Sequence, residues 1–139
     1  MKQLKILLLI ASTIVSIQGA TKKEIVAATL ILEAGGEKSA KVAMSAVHEV
    51  IVNRAKGGDR TKVCLKPKQF SCWNGQNVDA MVAKAKKHSM WNTAVSIVNS
   101  PKTNYTKGAD HYHTIQCNPS WNRSMTSTTT ILNHIFYRA

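Results

Sequence analysis

The sequence predicts a small, mainly α-helical (α+β) single domain, and three observations support this prediction. Apolar residues recur at helical spacing over much of the chain between residues 22 and 99. That spacing is lost after Pro101, where histidines, aromatic residues and turn-forming residues predominate, so a short hairpin or strand is expected in the C-terminal half. A chain of 139 residues without an internal repeat or a linker is long enough for one core and too short for two.

The first twenty residues have the pattern of a secretory signal peptide. Two lysines precede a mostly apolar stretch, Ile6 to Ile17, and Gly19-Ala20 supplies small residues for cleavage. We therefore expect a signal peptide over residues 1–20, a working domain over residues 21–139, and export to the periplasm, the cell wall or the extracellular space. An uncleaved anchor is the alternative, although the apolar stretch is short for a bilayer span.

The chain is strongly basic. Loss of Lys2 and Lys5 with the signal peptide lowers the formal net charge from +12 to +10. Such a domain is attracted to polyanions, and export favours anionic cell-wall polymers or anionic lipid over nucleic acid. The lysines are scattered, which is typical of a generally solvated basic surface. We expect a monomer that binds no nucleic acid.

Two helices are predicted in the first part of the working domain. Residues 22–34 are apolar almost all round, which indicates a buried helix. An amphipathic helix follows over residues 39–55, with Ser39 as its N-cap, and Gly57-Gly58 ends it.

The rest of the chain is less regular. Residues 59–76 lack a helical period and predict a structured loop, whereas residues 78–99 predict two helices or one kinked helix, with Ser89 as a candidate N-cap. A short hairpin is expected through residues 111–114. Residues 128–137 alternate weakly and predict a strand or a last helical turn.

Glu33 is the candidate catalytic residue. It ends the apolar run over residues 25–32 and precedes the Gly35-Gly36 break. Apolar neighbours dehydrate a carboxyl group, and the last turn of a helix faces the negative end of the helix dipole, so both effects raise its pKa. A carboxyl group of raised pKa suits a general acid in glycoside cleavage. A solvated residue at a helix C-terminus is the alternative, and Glu37 is a second carboxylate in the following turn.

Two other enzyme chemistries stay open. His111 and His113 with Cys117 have the residue types of a zinc site, but no fourth ligand stands out, and we expect neither a metal nor a cofactor. Cys72 with a histidine would make a cysteine amidase or peptidase, although its aromatic neighbours do not lower a thiol pKa. The chain has three cysteines, Cys64, Cys72 and Cys117. In an oxidising compartment two of them can form a disulfide, and the sequence does not say which two.

Tryptophans mark candidate sugar contacts. Trp73 and Trp121 lie in predicted loops beside asparagines, which suits a ring that covers the apolar face of a pyranose while amides bind its hydroxyl groups. Trp91 lies on a helical apolar face, where a core position is expected.

Six motifs occur in series along the working domain. They are LEAGGE from Leu32, AVHEVIVNR from Ala46, QFSCW from Gln69, NYTKGADHYH from Asn104, PSW from Pro119 and TTTILNHIFY from Thr128. By these motifs the chain resembles the cell wall hydrolases of the spore-cortex-lytic (SleB-like) type, whose corresponding segments include AxVxLNRV, DxTxGAxHY and TxxIGxHxFY. It departs from them around Glu37 and at Leu132-Asn133, before His134.

The resemblance implies a small lysozyme-like domain in which Glu33 is the catalytic acid. Members of this family cleave the peptidoglycan glycan strand between N-acetylmuramic acid and N-acetylglucosamine, several of them as lytic transglycosylases that leave a 1,6-anhydro end. One carboxyl group is enough for a transglycosylase, whereas a hydrolase needs a second at a defined separation. The scarcity of acidic residues therefore favours the transglycosylase.

Residues expected to contact the glycan surround the candidate acid in these motifs. They are Glu37, Gln69, Phe70, Ser71, Trp73, His111, Tyr112 and Trp121. A non-enzymatic cationic protein that binds envelope polyanions is the competing hypothesis, because charge, export and tryptophans account for it without Glu33.

Overall fold

The computed structural model describes residues 19–139, so nearly all of the predicted signal peptide lies outside the described residues. The described part contains five α-helices, two short 3-10 helices and one three-stranded antiparallel sheet, which confirms the predicted mainly α-helical (α+β) domain. None of its helices combines the length and the apolar character that a membrane span needs. The elements in chain order are α1 (Lys22–Ala34), α2 (Ala40–Ala55), α3 (Arg60–Leu65), a 3-10 helix (Ser71–Trp73), α4 (Val78–Lys86), α5 (Trp91–Val98), β1 (His111–Thr114), a second 3-10 helix (Ser120–Ser124), β2 (Thr126–Ile131) and β3 (His134–Arg138).

Helix α1 is the centre of the main core. A capping box fixes its start, since the Thr21 hydroxyl accepts from Glu24 N at 3.2 Å and Thr21 N donates to Glu24 Oε1 at 2.9 Å. Every residue from Ile25 to Ile31 is buried, and the other four helices pack around this one. The nearly all-round apolar pattern of residues 22–34 is thereby explained.

Helix α2 lies between α1 and the sheet. It begins at Ala40, and Ser39 precedes it without the predicted side-chain capping bond. Its end does follow the predicted stop, because Lys56 has a φ of 49° and Gly57 a φ of 81°, and the left-handed backbone terminates the helix. Ala46 and Val50 of α2 contact Phe136 of the sheet in a second, smaller core cluster.

The loop predicted over residues 59–76 is wrong in part, because α3 and a 3-10 helix lie within it. Asp59 caps α3 by accepting from Thr61 N at 2.9 Å. A helix of six residues is too short for an apolar period to show in the sequence. The break predicted in residues 78–99 is confirmed as two helices, but Met90, and not Ser89, stands at the N-cap of α5.

The sheet has the strand order β1-β3-β2. The tail predicted as a strand or a helical turn is a hairpin of β2 and β3, in which Ile131 pairs with His134. The hairpin predicted through residues 111–114 is corrected to a single edge strand, because β1 pairs with β3 in the register His111 to Tyr137. Since side chains alternate along a strand, neighbouring residues of β1 face opposite sides of the sheet.

The turn between β2 and β3 places Leu132 at a φ of 53°. When His134 is aligned with the histidine of the pattern TxxIGxHxFY, the glycine of that pattern falls at residue 132. The chain therefore differs from the family pattern at Leu132, where leucine replaces glycine. A left-handed backbone conformation destabilises the fold by about 1–2 kcal/mol when the residue has a side chain. Glycine avoids this strain, but its greater flexibility in the unfolded chain offsets part of the gain.

Replacement of Leu132 by glycine is therefore expected to raise the free energy of unfolding by about 0.5–1 kcal/mol. Urea unfolding of the two proteins measures the difference. Asn133→Gly is the matched control, because Asn133 does not have a positive φ and glycine there should bring no gain. An unchanged or lower stability of Leu132→Gly would contradict the strain at this turn.

Candidate active site

Glu33 lies at the C-terminal end of α1 with its carboxyl group partly buried. Burial raises its pKa to about 6, and no hydrogen bond or charge from the described residues opposes this rise. A tight turn at Gly35 follows Glu33 and fixes the backbone that carries the Glu33 side chain. A Cβ added at Gly35 would lie 2.7 Å from the carbonyl oxygen of Ile31, so only glycine fits there, whereas Gly36 has open space around it. The chain thus delivers a partly protonated carboxyl group at neutral pH.

Tyr112 from β1 faces the same region as Glu33. Burial, and next the charge of Glu33, raise the pKa of the Tyr112 phenol well above its ordinary value, so the group stays a neutral hydrogen-bond donor. The phenol has no hydrogen-bond partner among residues 19–139. His134 packs edge-on against the Tyr112 ring with centroids 5.3 Å apart. Burial lowers the pKa of His134, and the charge of Glu37 acts in the opposite direction.

The seven acidic residues of the chain all lie in the described part, and five of them are already engaged. The engaged ones accept hydrogen bonds or form ion pairs, and they are Glu24, Glu49, Asp59, Asp79 and Asp110. Only Glu33 and Glu37 have carboxyl groups that no described residue binds. The two carboxylates that the sequence singled out are therefore the two that are free to act on a bound molecule.

Glu49 of α2 has a structural position that the sequence did not predict. Its side chain is 1% exposed, and its two oxygens accept four hydrogen bonds from one loop. The donors are the Thr103 hydroxyl at 2.6 Å, Tyr105 N at 2.8 Å, and Thr106 N and the Thr106 hydroxyl at 2.9 and 2.8 Å. One turn further along α2, Asn53 Nδ2 donates to the carbonyl oxygen of Ala109 at 2.7 Å. These bonds hold the loop that leads directly into β1 and Tyr112.

Arg54 continues this row on α2. Its Nε donates to the carbonyl oxygen of Asp110, and its Nη1 donates to Gln69 Oε1 at 2.8 Å. Gln69 and His111, two of the predicted substrate contacts, line a cavity of about 390 Å³ next to this guanidinium group. Ser71 is exposed at the start of the 3-10 helix, beside Cys72, whose pKa responds to the charge of Glu33.

Two of the predicted substrate contacts are corrected by the structure. Phe70 is 2% exposed and Trp73 is 8% exposed, and both belong to the main core. The Trp73 indole N–H donates to the Thr29 hydroxyl at 3.0 Å inside that core. Neither ring presents a face to solvent on which a sugar can stack, so the sugar platform predicted at Trp73 is wrong. Trp91 packs against the same core, where it was expected.

His111 and Trp121 lie on the opposite face of the sheet from Tyr112. Their rings are 5.3 Å apart, and His113 and Tyr137 stack beside them at 5.2 Å. His113 Nδ1 donates to the carbonyl oxygen of Thr114, and its Nε2 accepts from the Tyr137 hydroxyl at 2.9 Å. The sheet therefore separates this aromatic cluster from Glu33, and the predicted contacts form two groups instead of one.

The cysteines and the histidines were the candidates for a nucleophilic thiol and for a zinc site. Cys64, Cys72 and Cys117 are all unpaired. Burial, reinforced by the charge of Glu33, raises the pKa of Cys72 to about 12, so this group is a thiol and not a nucleophilic thiolate at neutral pH. Within residues 19–139 no three histidine, cysteine or acidic side chains gather as a metal site.

Sequence reasoning missed Glu49 and Arg54 as residues that build the site. A signal for Glu49 was present, because it interrupts the apolar residues of a helix that is buried from Ala43 to Ile51. A charged residue in such a stretch is almost never buried without partners. The partners themselves lie 54 to 57 residues further along the chain, and no local pattern reveals them.

Comparisons with known proteins identify the family and the fold. The sequence model of the family described as Cell Wall Hydrolase matches residues 38–137. The structure is similar to the crystal structure of the catalytic domain of the Bacillus cereus SleB protein, with a TM-score of 0.63 and 20% sequence identity over 87% of this chain and 94% of that one. A search among curated proteins found no match. The family match begins just after Glu33, whereas the similarity of fold extends over most of the chain. The chain belongs to the cell wall hydrolase family.

Proposed function

We propose that this protein cleaves the glycan strand of peptidoglycan between N-acetylmuramic acid and N-acetylglucosamine as a lytic transglycosylase, with Glu33 as its single catalytic acid and base. The observation that carries the proposal is the state of the Glu33 carboxyl group. Burial raises its pKa to about 6, it has no partner among the described residues, and burial, together with its charge, raises the pKa of the Tyr112 phenol, which has no partner there either. Membership of the cell wall hydrolase family supports the substrate class.

The chemistry requires one group that changes its protonation state. Protonated Glu33 gives its proton to the glycosidic oxygen, and the bond from that oxygen to C1 of the muramyl residue breaks. The resulting carboxylate then takes the proton of the muramyl 6-hydroxyl, whose oxygen bonds to C1 and closes the 1,6-anhydro ring. Glu33 ends the cycle protonated, and no water is consumed. A pKa near neutrality serves both halves of this cycle.

The surroundings of Glu33 name the group that would decide between a transglycosylase and a hydrolase. A hydrolase needs a second carboxylate to activate water or to attack C1. Glu37 is the one other carboxyl group that no described residue binds, so it is the candidate for that role. The neutral Tyr112 phenol is suited to donate a hydrogen bond to the glycan. We further propose that the predicted signal peptide exports the domain and that its basic surface holds it on anionic wall polymers.

Mass spectrometry of the products tests the proposal. Purified peptidoglycan is digested with the wild-type protein, with Glu33→Gln and with Glu37→Gln, and the soluble fragments are analysed. We expect anhydromuramyl fragments from the wild type and from Glu37→Gln, and none from Glu33→Gln. Fragments with free reducing ends that disappear in Glu37→Gln would indicate a hydrolase instead. Released peptides, or wall binding without any fragments, would contradict glycan cleavage.

A further inference from the structure

The outer face of the sheet carries an aromatic surface that the proposed reaction does not use. We call outer the face that bears His111 and Tyr137, which pair across β1 and β3, whereas Phe136 on the inner face packs against helix α2. Trp121, from the second 3-10 helix, lies over the outer face. Its ring centroid is 5.3 Å from that of His111 and 5.6 Å from that of Tyr137. A helix therefore covers the inner face, and the outer face presents aromatic rings.

Trp121 differs from the core tryptophan Trp73 in its exposure. Trp73 is 8% exposed and its indole N–H is bonded inside the core, whereas Trp121, His111 and His113 are each half-buried. The Trp121 indole N–H donates to no residue of the described part. A tryptophan that is held by neighbouring rings, with part of its own ring open to solvent, suits contact with the apolar face of a sugar.

Two amide side chains flank this tryptophan in the chain. Asn118 is exposed and Asn122 is half-buried. A long hydrogen bond of 3.5 Å, from Asn122 Nδ2 to Asn118 Oδ1, holds the two together. The Oδ1 of Asn122 and the Nδ2 of Asn118 are left to bind the hydroxyl or acetamido groups of a sugar.

A basic cavity adjoins the aromatic surface at His111. This residue is one of those that line the cavity of about 390 Å³, together with the exposed Lys56 and Lys66. Arg54 and Asp110 line it too, and each stabilises the charge of the other. The two lysines form no ion pair within residues 19–139, so they leave the lining positive. The charge beside the aromatic surface therefore favours an acidic saccharide over a neutral one.

The aromatic surface and the candidate acid lie on different sides of the sheet. Tyr112 separates His111 from His113 in β1, and its ring packs on the inner face, 5.5 Å from that of Phe136. The same ring contacts the main core, which includes Ala34 at the end of the helix that carries Glu33. A sugar that stacks on Trp121 is therefore not the sugar that reacts at Glu33.

We propose that the outer face around Trp121 is a second saccharide-binding site, which holds an acidic stretch of wall glycan while Glu33 acts on another stretch. The inference rests on the proposed function for the class of its ligand, but not on the reaction at Glu33. Peptidoglycan fits the site, since its sugars have apolar faces and acetamido groups and its muramyl residues carry peptides with carboxylates. The enzyme stays on the wall between cuts through this site.

Sedimentation with insoluble peptidoglycan measures the site without cleavage when every protein carries Glu33→Gln. Addition of Trp121→Ala is expected to weaken binding by about tenfold, as for the loss of one aromatic contact at the centre of an interface. Trp121→Phe keeps a flat ring and should retain most of the affinity. Tyr105→Ala is the matched control, because it removes an aromatic side chain that is 49% exposed outside the aromatic surface, and it should bind like its parent.

A comparison of two substrates separates this site from the cleft of Glu33. With Glu33 present, Trp121→Ala is expected to slow the release of fragments from insoluble peptidoglycan about tenfold more than it slows the cleavage of short soluble glycan fragments. A short fragment occupies one site at a time, so it gains little from the second.

A double variant tests the charge of the site and keeps the inference testable if Trp121→Ala does not fold. Lys56→Ala/Lys66→Ala changes two exposed residues, and with Glu33→Gln it should weaken sedimentation at low ionic strength and much less at high ionic strength. Lys41→Ala/Lys84→Ala removes the same charge from exposed positions elsewhere and should bind more tightly than the first pair.

Three outcomes would overturn the inference. One is equal binding of Trp121→Ala and its parent, and another is equal binding of the two lysine double variants. The third is an equal loss of activity of Trp121→Ala on both substrates, which would place Trp121 in the cleft of Glu33. A wild type that releases no fragments would contradict the proposed function alone, because loss of sedimentation in Trp121→Ala would still support the second site.

Discussion

Replacement of Glu33 by glutamine is expected to remove nearly all glycan cleavage and, at neutral pH, to make the protein more stable. Loss of a general acid slows a reaction by roughly 100-fold to 10,000-fold. The gain in stability follows from the pKa of about 6, because ionising a partly buried carboxyl group without partners costs free energy in the folded state.

The sign and the pH range of this gain follow from linkage. Because the folded pKa of Glu33 lies above the ordinary 4.5, the protonated residue contributes stability that is fully present below pH 4.5 and lost as the pH rises through 6. After a discount for partial exposure, the loss amounts to about 1–2 kcal/mol. Glutamine stays neutral, so Glu33→Gln does not lose this stability as the pH rises. Urea unfolding should therefore show Glu33→Gln to be more stable than the wild type at about pH 7.5, with a difference that vanishes near pH 4.

Glu24→Gln is the matched control at the other end of α1. Hydrogen bonds from Lys86 and Thr21 lower the pKa of Glu24, so its charge stabilises the fold and its loss should weaken the protein at neutral pH. The two substitutions are the same chemically and should change stability in opposite directions. Lower stability of Glu33→Gln at pH 7.5 would contradict the burial of an unpaired charge, and retained cleavage would exclude Glu33 as the acid.

Replacement of Glu49 by glutamine is expected to be among the most damaging substitutions in the chain. Its carboxylate accepts two hydroxyl and two backbone donors from residues 103–106. An amide leaves one oxygen to accept and turns an NH₂ group toward donors, so buried groups lose their partners. The expected cost is about 3 kcal/mol or more of unfolding free energy. Denaturant unfolding measures it, and activity should fall as well because the loop leads to Tyr112.

Thr103→Val provides the comparison for Glu49→Gln. It removes one of the four donors and keeps the shape of the side chain, so its expected cost is about 1 kcal/mol. Similar stabilities of the two variants would show that the network around the carboxylate does not act as a unit. A change below 1 kcal/mol in Glu49→Gln would contradict its role as the anchor of the loop.

The sequence predicted those parts of the molecule whose determinants are local. The bounds of α1 followed from a stretch that is apolar almost all round, and the raised pKa of Glu33 followed from its place at the end of the apolar run. Helix α3 was missed because a helix of six residues is too short to show an apolar period.

Features determined over long separations were not predicted. Trp73 was expected at a surface loop, but its hydrogen-bond partner Thr29 lies 44 residues earlier and draws the indole into the core. Strand β1 was predicted to pair with a neighbouring segment in a hairpin, whereas it pairs with β3, from Thr114 with His134 to His111 with Tyr137. The division of His111 and Tyr112 between two faces of the sheet depends on that pairing, so the grouping of the candidate contacts could not be deduced from the motifs.

The long reach of the Glu49 network also bears on the order in which the molecule assembles. Its bonds join positions 54 to 57 residues apart, and closing so long a loop costs entropy that the short-range contacts of the helices do not incur. We therefore expect the helices to form before the loop docks and β1 takes its place. Until then Glu33 would stand at the end of α1 without Tyr112 beside it, and its carboxyl group would titrate like that of an exposed glutamate. The raised pKa that the proposed reaction needs is thus acquired late in folding, so a partly folded chain would lack a carboxyl group that stays protonated near neutral pH.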